Sequence, residues 1–141
     1  MVNKEIINER LREIEENLKI LEELKAIDEN KFCSDPKIFK LAERCLELSI
    51  QALLDICHHI ISANDWPRPE SNYQAIEIIA EGKVIPQEFA KKIAPMAGLR
   101  NILIHEYIKV DPAIIYQHIQ NLGDFYQFEK HIVKYLSKIN D

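Results

Sequence analysis

The densest cluster of chemically capable side chains in the sequence is Arg100-Asn101-Ile102-Leu103-Ile104-His105-Glu106-Tyr107, where polar and ionisable groups interrupt an apolar run shortly before Asp111-Pro112. A guanidinium grips a phosphodiester through two parallel N–H donors, and an imidazole moves protons near neutral pH. An arginine five residues ahead of a histidine therefore suits phosphate chemistry. RNA carries its own nucleophile in the 2′-hydroxyl, so such a pair needs neither a metal nor another cofactor. On a helix turning about 100° per residue, Asn101 and His105 share a face, where an i, i+4 hydrogen bond can fix the imidazole tautomer. Arg100 and His105 stand ~140° apart and ~7.5 Å along the axis, so the long arginine has to curl round to join them. The same residue types at a helix end also form solvated faces and capping networks. Tyr107 reads equally as a half-buried aromatic with its hydroxyl at the surface.

Asp55, His58 and His59, spaced i, i+3, i+4, form a second polar cluster that could place metal ligands on one helical surface. A di-metal bundle requires Glu-x-x-His motifs and further carboxylates on facing helices. The sequence lacks that set, so the expectation is a hydrogen-bonded Asp–His pair and no metal site. There is no glycine-rich phosphate loop and no serine or cysteine in a nucleophile-elbow context, which removes the dinucleotide-binding, P-loop and hydrolase classes. Cys33, Cys45 and Cys57 are odd in number and form no Cys-x-x-Cys pair, which fits a reduced cytosolic interior, and Cys45 and Cys57 fall in one apolar helical pattern where core packing is expected.

The elements that must position these residues are helical. Glycine occurs only three times, and no Asn-Gly or Asp-Gly turn separates alternating apolar residues. A first helix is predicted from about Asn3 to Glu29, with Ile7, Leu11, Ile14, Leu18, Leu21 and Leu24 on one face. Ser34-Asp35-Pro36 opens a second that runs to about Ser62, its stripe of Leu41, Cys45, Leu48, Ala52, Ile56 and Ile60 widened by Phe39, Leu46, Leu53 and Cys57. A stripe so wide can face two neighbours. Trp66-Pro67-Arg68-Pro69 breaks the chain, and Ser71 with Gln74 at capping-box spacing starts a short helix to Gly82. Pro86 opens a fourth helix through Leu103, kinked or divided at Pro95, and Asp111-Pro112 caps a fifth that continues to Leu136. The economical architecture is all-α, an up-and-down four-helix bundle with an additional short helix, as one domain over residues 1–141.

Charge limits the partners. Eighteen Lys+Arg against 23 Asp+Glu leave a net charge of -5, which excludes a broad basic nucleic-acid platform and requires any nucleic-acid contact to be local. The start is charged and lacks the apolar stretch of a signal peptide, and no run approaches the ~18 apolar residues of a membrane span. A cytoplasmic protein with no membrane association is expected.

Arg100, four residues, then His105-Glu106-Tyr107 resembles the Arg-x4-His-x-Tyr signature of the HepT-like branch of the HEPN ribonucleases. Asp55-Ile56 with His58-His59, the Pro69-Glu70-Ser71-Asn72-Tyr73 entry to the short helix, and Gly98-Leu99 before Arg100 are similar to that family as well. The resemblance implies an all-helical homodimer whose two Arg–His segments line a shared cleft and act as a metal-independent endoribonuclease toxin. It also implies a partner, a minimal nucleotidyltransferase antitoxin of the MntA type that neutralises the toxin by transferring AMP to the signature tyrosine. Carried onto this chain, Arg100 binds phosphate, His105 is the acid/base, Asn101 supports the site and Tyr107 is the modification target. The alternative is a non-catalytic HEPN module that holds nucleotide or a nucleotidyltransferase without cleaving RNA. A structural helical adaptor is a third reading.

Overall fold

A computed structural model describes residues 1–105 and 109–139, and these fold into eight helices with no strand among them. They run α1 (Lys4–Lys25), α2 (Glu29–Ser34), α3 (Pro36–Ala63), α4 (Asn72–Glu81), α5 (Gln87–Ile93), α6 (Pro95–Ile104), α7 (Pro112–Gln120) and α8 (Gly123–Ser137). Four columns make the bundle: α1, α3, the α5–α6 pair and the α7–α8 pair, with α4 as the additional short helix. No described helix is long and apolar enough to cross a membrane.

The helix starts follow local chemistry. Asn3 Oδ1 accepts from the Glu5 and Ile6 amides, Asp35 Oδ1 from the Lys37 amide, and Asp111 Oδ1 from the Ala113 amide, so each side chain satisfies donors that the first turn leaves open. At α4, Ser71 Oγ accepts from the Gln74 amide at 3.0 Å, and the Gln74 side chain returns to the Glu70 amide. The Ser71 half is the capping predicted from the Ser71/Gln74 spacing, while the return bond falls on Glu70, one residue before the N-cap, instead of on the Ser71 amide.

Three predicted helices are divided. Pro95 has no amide hydrogen to continue α5, as expected. The predicted first helix stops at Lys25, and α2 sets off separately, which brings fully buried Phe32 edge-on to Tyr116 at a centroid distance of 5.0 Å. The Tyr116 hydroxyl donates to the Ile27 carbonyl at 2.8 Å, and the Gln120 amide group donates to the Lys25 carbonyl, so tertiary partners take up backbone acceptors freed by the break. The predicted fifth helix divides at Asn121–Leu122. Gly123 opens the new helix, and before the division α7 packs on α1, α2 and α3, while α8 continues along α1.

One core joins these elements, from Ile7, Ile14 and Leu21 of α1 through Ile50, Leu53 and Ile60 of α3 to Phe128 and Ile132 of α8. The predicted α3 stripe holds from Cys45 through Leu46, Ala52, Leu53, Ile56 and Cys57 to Ile60, while Leu41 is 44% exposed and Phe39 and Leu48 are only half-buried. Cys45 and Cys57 are buried, and burial pushes both thiols upward in pKa. Trp66, from the break after α3, packs so closely on Gly82 that a Cβ there would lie 2.2 Å from its ring.

On α8, Glu129 Oε1 is buried without a hydrogen-bond partner, and burial together with the nearby Glu15 raises the carboxyl to about 7 from an ordinary 4.5. The folded state therefore holds this proton more tightly than the unfolded chain, and Glu129 costs stability progressively as pH rises from about 4.5 through about 7. Glu129→Gln should raise the melting temperature at pH 8, by a stabilisation on the order of 1 kcal/mol once solvent screening is allowed for, and change little at pH 5. Thermal melts across that range check it; an equal shift at both pH values contradicts the assignment.

Candidate functional site

Helix α6 carries the Arg100 segment, and α3 holds it in place. The Arg100 Nε–H donates to Gln51 Oε1 at 2.8 Å, and Gln51 Nε2 donates to Asp55 Oδ1 at 2.7 Å. Gln51 and Asp55 lie one turn apart on α3, so a single helical face presents both. Arg10 of α1 then pairs with the other carboxylate oxygen, Arg10 Nε lying 3.4 Å from Asp55 Oδ2. A relay Arg10–Asp55–Gln51–Arg100 thus spans three helices.

The relay uses Arg100 from behind. Its Nε is engaged by a neutral amide, while Nη1 makes a long 3.5 Å contact with Asn101 Oδ1. The terminal nitrogens keep the geometry that a bidentate oxyanion requires. Arg100 is half-buried, whereas Asn101 and His105 are exposed beside it.

His105 departs from the helical expectation. Helix α6 ends at Ile104, and His105 is its C-cap with φ −80° and ψ 105°, an extended backbone. The change lies in ψ, since φ is still close to helical, and the Asn101 side chain turns toward Arg100, its Oδ1 meeting Nη1 at 3.5 Å. Glu106 and Tyr107 lie outside the described residues. Ile102 and Ile104, on the same short stretch, are 47% and 39% exposed, an unusual amount of apolar surface to flank two polar groups.

The second polar cluster disperses. Asp55 joins the relay, His58 Nε2 lies 2.8 Å from Asn72 Oδ1 at the start of α4, and His59 Nε2 accepts from the Asn3 amide at 2.9 Å. Accepting that bond requires an unprotonated Nε2, and burial followed by the positive amino terminus holds His59 below its ordinary pKa. The three side chains serve three different joints, and no group of three metal-ligating residues converges among the described residues. The role of Gln51 was not anticipated. Its only signal in the sequence is a polar residue at i−4 from Asp55 inside the apolar pattern of α3.

Comparison with known proteins adds the family context. A family model described as Ribonuclease HepT-like matches residues 14–132. The chain is 31% identical over 137 residues to the tRNA nuclease HepT of Aphanizomenon flos-aquae, covering 96% of this chain and 93% of that one. It is 32% identical over 87 residues to the mRNA nuclease HepT of Shewanella oneidensis, covering 61% and 62%. Among solved structures, the tri-AMPylated Shewanella oneidensis HEPN toxin in complex with its MNT antitoxin superposes with a TM-score of 0.83 at 26% identity, over 94% of this chain and 98% of that one.

If Gln51 positions the guanidinium, Gln51→Ala should release it without unfolding the bundle. The Arg100 Nε–H resonance should exchange with water markedly faster, with a stability loss of about 1 kcal/mol for the lost hydrogen bond. Unchanged Nε–H exchange in a folded Gln51→Ala variant contradicts the relay.

Proposed function

The chain belongs to the ribonuclease HepT-like family, and on that premise we propose that it is a metal-independent endoribonuclease toxin cleaving RNA at Arg100 and His105. The observation that carries this reading is the held guanidinium: Arg100 is fixed through Nε by a neutral partner, its forked end is left for a phosphate, and an exposed imidazole follows five residues later. Asn101 supports the fork by its contact with Nη1.

The site is built by two copies of the chain. Exposed Ile102 and Ile104 supply apolar surface for the contact, and a two-fold axis there brings two arginines together, concentrating positive potential on a chain of net charge -5. One imidazole removes the proton from the 2′-hydroxyl, whose oxygen attacks phosphorus while the second imidazole protonates the departing 5′ oxygen. The products are a 2′,3′-cyclic phosphate and a free 5′-hydroxyl. Arg100 holds the non-bridging oxygens as charge develops on them.

Neutralisation follows from the same site. The partner is a minimal nucleotidyltransferase antitoxin, a reading supported by the antitoxin bound to the Shewanella toxin and by that toxin's AMP groups. Tyr107, two residues beyond His105, attacks the α-phosphorus of ATP held by the antitoxin, and pyrophosphate leaves. The resulting phosphodiester competes with RNA for the Arg100 fork, and its bulk closes the cleft.

Wild-type protein should cleave RNA in EDTA and leave cyclic phosphate ends, while His105→Ala and Arg100→Ala should lose ~10²–10⁴-fold in rate. Light scattering on the same preparation should return twice the 16.5 kDa chain mass. Wild-type cleavage rates in His105→Ala, or abolition by EDTA, contradict the mechanism; RNA binding without cleavage by the wild type favours the non-catalytic module instead. Incubation with the cognate nucleotidyltransferase and ATP should place AMP on Tyr107, read by mass spectrometry, and Tyr107→Phe should escape neutralisation. Modification confined to Tyr116, Tyr126 or Tyr135 contradicts that route.

A further inference from the structure

A groove of about 420 Å³ lies between the end of α4, the turn into α5 and the last turns of α8. Lys83, Lys134 and Lys138 line it, His131 and Tyr135 form part of its wall, and Glu81 is its single acidic member. All three lysines are exposed, and none forms an ion pair among the described residues. In a chain of net charge -5 this is a concentrated patch of the opposite sign.

Two local features set it apart from scattered surface lysines. Lys83 has φ 64°, the left-handed conformation at a helix C-terminus that glycine ordinarily fills, while the adjacent Gly82 has φ −78°. The cationic side chain is thus kept at a position where a residue without one is conformationally favoured. His131, in the wall, is held below its ordinary pKa by burial and then by Lys134, consistent with a positive local field. The Tyr135 hydroxyl accepts from Asn64 Nδ2 at 3.1 Å, which ties this wall to the end of α3.

We propose that this groove is a second contact for the RNA phosphodiester backbone, separate from the Arg100 segment; the inference rests on the ribonuclease reading above. Lysine is a point charge without a directional fork, so three of them hold a backbone without reading sequence. The groove and the cutting site are connected by α3: Gln51, which holds Arg100, and the C-cap Asn64, which holds Tyr135, are 13 residues apart, an axial offset of about 20 Å. They face directions ~140° apart around the axis, so the span between the sites is at least that offset and an RNA reaching both wraps partly around the helix. Substrates much shorter than that span engage the Arg100 site alone, and longer ones reach both.

The test uses the whole chain carrying His105→Ala, which slows cleavage enough for binding to be read, with and without Lys83→Gly, Lys134→Gln and Lys138→Gln. Binding of a fluorescein-labelled single-stranded RNA is followed by anisotropy across a salt series. Loss of three phosphate contacts should make the plot of log affinity against log salt shallower by about 2, at ~0.7 per contact. Lys83→Gly alone should keep or raise the melting temperature while weakening RNA binding, a combination that loss of folding cannot produce. With His105 intact, the lysine variants should cleave a dinucleoside phosphate at the wild-type rate and long RNA more slowly. An unchanged salt slope with wild-type RNA binding overturns the groove alone. Absence of RNA binding by the parent protein overturns the groove and the ribonuclease reading together. Loss of antitoxin binding with an unchanged RNA slope also overturns it, and assigns the lysines to a protein partner.

Discussion

Helix α3 has more apolar circumference than one neighbour can cover. Twelve of its 28 residues are buried, and Ala52, Leu53 and Leu54 in succession point to three different directions around its axis. Helices α1, α4, α6 and α7 all pack on it, and burial of that surface is the dominant favourable term. The polar residues in its second half are the joints. Gln51 reaches α6, Asp55 reaches α1, His58 reaches α4, and His59 receives the Asn3 amide ahead of α1. Apolar burial brings the helices to α3, and these bonds, each of modest net energy, set their register along it.

The chemistry of the joint at Arg100 matters as much as its position. A carboxylate touching the guanidinium would orient it and also cancel its charge, leaving little field for a phosphate. Gln51 orients the group as a neutral acceptor. The nearest carboxylate in the relay, Asp55, is paired on its other side with Arg10, so its charge is shared away from the site. Holding an arginine through a glutamine with a neutralised acid behind it keeps the cation rigid and still electrostatically active.

Most of the architecture was legible because helix periodicity and capping residues are local signals. Asn3 at the head of α1, Asp35-Pro36, Ser71 with Gln74, Pro95 and Asp111-Pro112 each mark a boundary from a few neighbouring residues. The divisions after Lys25 and at Asn121 were not legible, since they go with Phe32 meeting Tyr116 and with α7 packing on α1, α2 and α3, contacts between residues far apart in the chain. The site shows the same split. Arg100, Asn101 and His105 were identified as residue types at a spacing, but the extended backbone at His105 and the part played by Gln51 arise from tertiary placement. Asp55 was noticed for the wrong chemistry: its partners are an amide and a guanidinium on other helices, invisible to a reading along one helix.

The bonds that join α1 to the last third of the chain have a kinetic implication. Tyr116 to Ile27, Gln120 to Lys25, Tyr126 to Glu22 and Lys4 to Ile139 close loops of 89, 95, 104 and 135 residues. Within a helical protein, where most contacts form quickly between near neighbours, these closures come late and carry the largest entropic cost. During synthesis the α1–α3 pair therefore emerges with its remaining apolar face uncovered until α7 and α8 have left the ribosome. The nascent chain passes through a stage in which its longest helix is formed but only partly sheltered from water and from other chains.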